Sequence, residues 1–173
     1  MHRDEQVMVQ GLAILGESGN RLMGSPLSVP DEIKALEASM FKKTKEAEGN
    51  IVLFDEHLVI FKIVEDLCIL LYAPISENEI ALSEALDAFY SAVVKTIKGP
   101  LSQKSLSKHY DEVFLHLDAF IYKTVILSDS SSEMCEKVPK RTFESLEAIQ
   151  IPSKFSNVLK KAHKSFATSW LKK

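Results

Sequence analysis

Two histidines and an aspartate come nearest to a reactive constellation. His109 and His116 stand seven residues apart, about two helical turns, which would set both on one helix face with Asp118 nearby. A metal site needs a third converging ligand, and none is suggested; the pair reads instead as surface or half-buried histidines. Cys68 lies inside Leu67-Cys68-Ile69-Leu70, an apolar setting that suits a core thiol rather than a nucleophile. Glu77 and Glu79 invite an acid–base reading, but Ser76-Glu77-Asn78-Glu79 also spells a capping box at a helix start. Gly16-Glu17-Ser18-Gly19 lacks the Lys-Ser/Thr that would complete a phosphate loop and reads as a hairpin turn. No nucleophile, base and orienter converge, so the expectation is a protein that is not an enzyme and holds no cofactor or metal.

The other asymmetric feature is the C-terminal stretch. It carries Lys154, Lys160, Lys161, Lys164, Lys172 and Lys173 with no acid, and Phe155, Val158, Leu159, Phe166 and Trp170 supply an apolar side. Ser153 can cap it as a helix. A basic amphipathic helix can enter a partner groove or lie on an anionic membrane, in which case Phe155, Leu159, Phe166, Trp170, Lys160, Lys161 and Lys164 are the contact residues. It can equally pack on its own domain with its lysines solvated.

The elements that would position these residues follow from the apolar pattern. Asn50 to Ala73 holds three apolar runs, Ile51–Phe54, Leu58–Phe61 and Leu67–Ala73, separated by Asp55-Glu56-His57 and Glu65-Asp66. Breaks this short require antiparallel hairpins, since a parallel crossover takes a dozen residues or more. The runs do not alternate with polar residues as a sheet with one wet face does, so helices are expected on both faces. Upstream, Val7 to Leu15 and Arg21 to Gly24 read as a hairpin. Ser28-Val29-Pro30-Asp31 predicts a helix start with Ser28 as cap, carrying Ile33, Leu36, Met40 and Phe41 and ending near Glu48-Gly49. Downstream, Leu82, Leu86, Phe89, Val93 and Ile97 repeat at helical spacing up to Gly99-Pro100. A second long helix is expected from Ser102, with Leu106, Tyr110, Val113, Leu117 and Ile121 inward. Val125-Ile126-Leu127 is a short apolar segment, and Ser128 to Lys140 reads as a polar loop with at most one short helix.

Composition is that of an ordinary globular chain, 46% hydrophobic and 26% charged, with a net charge of −3 that gives no field attracting nucleic acid. At 173 residues one domain can bury a core without disulfides, and the two cysteines fit a reducing compartment. The start, Met1-His2-Arg3-Asp4-Glu5-Gln6, does not read as a secretory signal, and no stretch nears the roughly 20 apolar residues of a membrane span.

The element order β-β-α-β-β-β-α-α resembles the longin, or SNARE-like, fold of small adaptor and coat subunits. Local blocks narrow the resemblance. Phe41-Lys42-Lys43-Thr44, the run from Ile51 to Lys62, Glu77-Asn78-Glu79-Ile80, the run from Tyr110 to Asp118, and Val125 to Asp129 are similar, in order, to blocks of the coatomer zeta family. The resemblance covers about Val7 to Val138, with a weaker echo from Asn157 to Leu171. Asp118-Ala119 stands where the family usually has Asp-Glu, and Lys123-Thr124 where it often has glycines, so the chain is identified as a divergent member.

What the resemblance implies is an α+β fold: a five-stranded antiparallel sheet covered by helices on both faces, plus a C-terminal helix. The domains would be 1–128, longin-like; 129–152, a polar linker with a short helix; and 153–173, the basic helix. It implies a small structural subunit of the COPI coat that pairs with the trunk of the large gamma subunit in a heterotetramer with beta and delta. Such a subunit is cytoplasmic, peripheral on Golgi membranes, and serves retrograde Golgi-to-ER and intra-Golgi transport, without nucleic acid or small-molecule substrate. The docking face would be the first helix and strands two to four. Another longin-type subunit, such as a sigma adaptin or a tethering-complex subunit, and more remotely a small enzyme, are the alternatives.

Overall fold

The computed structural model describes residues 7–138 of the chain. In chain order these form β1 (Gly11–Gly16), β2 (Arg21–Ser25), α1 (Asp31–Thr44), β3 (Ile51–Phe54), β4 (His57–Val64), β5 (Leu67–Pro74), α2 (Glu79–Ile97), α3 (Gln103–Lys108), α4 (Tyr110–Phe120), β6 (Ile121–Tyr122), β7 (Val125–Ile126) and α5 (Ser131–Lys137). The sheet runs β2-β1-β5-β4-β3 with every neighbour antiparallel, and β6 and β7 make a separate two-stranded ribbon. The acidic breaks in the apolar runs are the hairpin turns: Asp55 and Glu65 take left-handed backbone at φ 50° and 51°. Aspartate enters that region readily; glutamate does so at more cost.

Both faces of the central strands are covered, as the absence of alternation requires. On one face Leu12, Ile14, Leu58, Ile60, Ile69 and Leu71 pack against Leu82, Leu86, Phe89, Val93, Val113, Leu117, Phe120 and Met134, from α2, α4 and α5. The rings of Phe89 and Phe120 lie 5.1 Å apart. On the other face Ala13, Leu15, Val59, Phe61, Cys68, Leu70 and Tyr72 meet Met40 and Phe41 of α1. Burial of this kind contributes about 25 cal/mol per Å² of apolar surface.

The structure corrects several expected boundaries. The first strand begins at Gly11; Gln10 still donates its N–H to the Tyr72 carbonyl at 2.9 Å, while Met8 bridges Val125 and the Val9 N–H donates to the Thr124 carbonyl at 2.8 Å. The N-cap of α1 is Pro30, not Ser28, and no side chain caps it. The helix stops at Thr44 rather than near Gly49: the amides of Lys45, Glu46 and Ala47 bond back three residues, a tightening last turn. Gly49, at φ 114°, turns the chain into β3. Asn78, not Ser76, caps α2, its side chain accepting from the amides of Ile80 and Ala81 at 2.9 and 3.1 Å. At the far end Lys98 rather than Gly99 takes the left-handed position. The second long helix is two helices. His109 leaves helical backbone (φ −113°, ψ 30°), closing α3 through its N–H to Ser105 and opening α4 through its carbonyl to Val113. That break leaves Tyr110 exposed and hands Ile121 to β6. α5 lies in the polar stretch after Ser128, and its Met134 is fully buried.

Candidate functional site

The residues with chemical potential are not brought together. His116 is buried on α4 and its Nε2 lies 2.7 Å from the Thr96 hydroxyl of α2, so it is neither surface nor half-buried as expected. Burial lowers its pKa, opposed by the nearby Glu112 carboxylate. His109, at the break between helices, pairs through Nδ1 with Glu112 instead, and Asp118 is exposed. Among the described residues no group of three or more His, Cys, Asp or Glu could hold a metal ion. Cys68 is buried in the α1 face, its thiol pushed up to about 11 by burial. Glu77 and Glu79 flank the Asn78 cap, with Glu79 in the first turn of α2. The tail residues Phe155, Leu159, Phe166, Trp170, Lys160, Lys161 and Lys164, and the helix expected over 153–173, lie outside the described residues.

What the fold presents is surface, and two surfaces differ from the rest. One is the β2 side of the sheet. Glu37 of α1 is 1% exposed, and its Oε1 accepts from the Arg21 guanidinium of β2 and, at 3.0 Å, from the Tyr72 hydroxyl of β5. Arg21 also donates to the Pro26 carbonyl. Burial and the Glu37 carboxylate raise the Tyr72 phenol well above its ordinary range. Beside this cluster a recess of about 810 Å³ opens between β2 and α1, lined by Arg21, Leu27, Lys34, Ala38 and Tyr110 among others. Sequence reasoning missed the cluster, because a glutamate between Leu36 and Ala38 reads as solvent-facing.

The other surface is the β3 edge. Ile51 and Leu53 are 39% and 61% exposed, although they lie in register with the buried Ile60 and Leu58. α2 does not reach them: it stays over β4, where Lys62 pairs with Asp87 at 2.9 Å and sits 5.3 Å above the Tyr90 ring. Val52 and Phe54, pointing the other way, pack on the α1 core. Covered faces were expected for all three apolar runs, and β3 departs from that on one face because α2 packs over β4 and α4 toward β2, away from this edge.

An apolar, chemistry-poor domain of this architecture matches known coat proteins. The chain is 29% identical to the coatomer subunit zeta of Encephalitozoon cuniculi over 159 residues, covering 92% of this chain and 94% of the relative. It is 28% identical to the coatomer subunit zeta of Saccharomyces cerevisiae, covering 76% and 77%. The chain is thus similar to coatomer zeta subunits along most of its length, at an identity that fits a divergent member. The zeta-like chain also shares its fold with a chain in a homology model of the full-length AP-3 complex in a stretched open conformation, with a TM-score of 0.56 and 11% identity over 94% of this chain and 99% of that one. No protein-family model matches it. Relatives and fold together support a small subunit of the coat-adaptor kind, and among the described residues no helix is long and apolar enough to cross a membrane.

Proposed function

We propose that this chain is the zeta-type small subunit of a COPI coat: it pairs with the trunk of a large gamma subunit, in an assembly that also holds beta and delta, and works by scaffolding. The observation that carries this reading is similarity to a coatomer zeta subunit along 92% of the chain and 94% of the relative, over a sheet whose two faces are packed by apolar side chains. The assembly would be cytoplasmic and peripheral on Golgi membranes, acting in retrograde Golgi-to-ER and intra-Golgi transport. The basic tail, with Phe155, Leu159, Phe166, Trp170, Lys160, Lys161 and Lys164, would add a salt-sensitive contact to acidic protein or lipid.

Co-expression with a gamma-coatomer trunk is the test. A pair that co-elutes on size exclusion supports the reading, and separate elution overturns it. Preferential pairing with an adaptor large subunit instead would assign the chain to the sigma group. Deleting Ser153 to Lys173 is expected to weaken coat or membrane binding and flatten its dependence on salt.

A further inference from the structure

We propose that the edge of β3, which pairs with no strand but β4 among the described residues, takes up an extended segment of a partner polypeptide, apolar at alternate positions and carrying lysine or arginine at its ends. The inference concerns the mode of docking and stands apart from whether that partner is a gamma subunit.

The backbone supplies the first argument. The Phe61 N–H donates to the Asn50 carbonyl at 2.8 Å, and the register continues with Val52 opposite Val59 and Phe54 opposite His57. In an antiparallel ladder every second residue turns its backbone groups to the neighbouring strand. Asn50, Val52 and Phe54 therefore face β4, and the N–H and C=O of Ile51 and Leu53 face outward at the end of the sheet. An added strand can pair with them.

The side chains supply the second. Exposed sheet edges are ordinarily blunted by lysine, proline, a bulge or a covering element. Ile51-Val52-Leu53-Phe54 has none of the first two, its register with β4 is unbroken, and α2 leaves Ile51 and Leu53 bare. A strand laid beside β3 would place its own alternate side chains against them on the α2 face.

Charge chooses the occupant. Exposed acids bracket the strand: Glu48 before it, Asp55 and Glu56 after it. A second copy paired antiparallel about Val52 would set Glu56 of one chain opposite Glu48 of the other, and like charges directly opposite destabilise a sheet. A segment with basic ends meets opposite charge at both.

The test uses the full chain with a synthetic Lys-Lys-Thr-Val-Thr-Val-Thr-Lys-Lys peptide and its glutamate-flanked counterpart, read by fluorescence anisotropy and by NMR amide exchange. Saturable binding of the lysine-flanked peptide is expected, with slowed exchange at Ile51 and Leu53 and roughly tenfold or more weaker binding of the glutamate-flanked one. Leu53→Pro replaces the outward N–H while sparing the inward bonds, and should lower affinity by roughly tenfold or more. If that variant loses its circular-dichroism signal, Leu53→Lys keeps the donor, adds like charge, and should give the same loss. No saturable binding, equal binding of both peptides, or exchange protection elsewhere overturns the proposal. So does a concentration-dependent dimer in sedimentation that Leu53→Lys abolishes, which would give the edge to a second copy.

Discussion

The sheet has two edges and the chain treats them differently. No residue of β2 is exposed, whereas two of the four in β3 are. β2 is locked from one side by an ion pair reaching across from α1, with Tyr72 of the central strand β5 donating into the same carboxylate. Among the described residues β3 is held by its hairpin to β4 and by Val52 and Phe54 packing toward α1. One edge is closed by buried polar groups, which are costly unless paired; the other is left apolar and open. The difference teaches that the fold's stability is invested at the β2 end, leaving β3 free to change with little effect on folding.

The largest expected effect therefore belongs to Glu37. Glu37→Ala strands the Arg21 guanidinium, 8% exposed, in a buried site and should cost roughly 3–5 kcal/mol in urea unfolding. Replacing both residues by methionine should recover most of that loss, since an apolar pair of similar volume carries no uncompensated charge. If the single variant unfolds like wild type, the two edges are not different in kind.

Gly24→Ala probes the same edge by shape. An added Cβ would stand 2.3 Å from the Leu12 carbonyl oxygen and 2.3 Å from the Arg21 guanidinium, and backbone on one side cannot yield. A loss of about 1–3 kcal/mol is expected from thermal or urea unfolding.

Tyr72→Phe removes the hydroxyl that donates to Glu37 and should cost about 1 kcal/mol near neutral pH. It also sharpens the comparison through pH. The phenol's pKa is raised in the folded chain above its unfolded value of about 10, so the folded state holds that proton more tightly. The associated stability is complete below pH about 10 and is lost as pH rises beyond it. The variant should show a shallower fall in denaturant midpoint between about pH 9 and 11 than wild type.

The smallest effect is at the open edge. Leu53→Thr should change unfolding free energy by no more than about 0.5 kcal/mol, because the side chain is mostly in solvent already. A large loss there would mean that β3 is covered after all.

Much of this architecture was legible because it is periodic. The stripe from Leu82 to Val93 is buried as its spacing requires, and the acidic breaks at Asp55-Glu56 and Glu65-Asp66 are the hairpin turns. What escaped was whatever depends on residues distant in sequence. Glu37 is buried by partners 16 and 35 positions away, and nothing around it announces them. His109 breaks a helical pattern that continues on both sides, so periodicity alone could not find the break. The exposure of Ile51 and Leu53 depends on how far α2 extends across the sheet, a matter of tertiary width rather than of local composition. The resemblance read from short blocks agrees with the zeta relatives matched along most of the chain, and it located neither edge.

The two cysteines have a practical consequence. Cys68 is sealed under α1, and burial raises its thiol to about 11, so the thiol form dominates near neutral pH. Cys135, half-buried on α5, is the sulfur a maleimide reagent meets first. The natural chain thus offers a single attachment point for a fluorophore or spin label, on the helix opposite α1, with no engineering of the sequence.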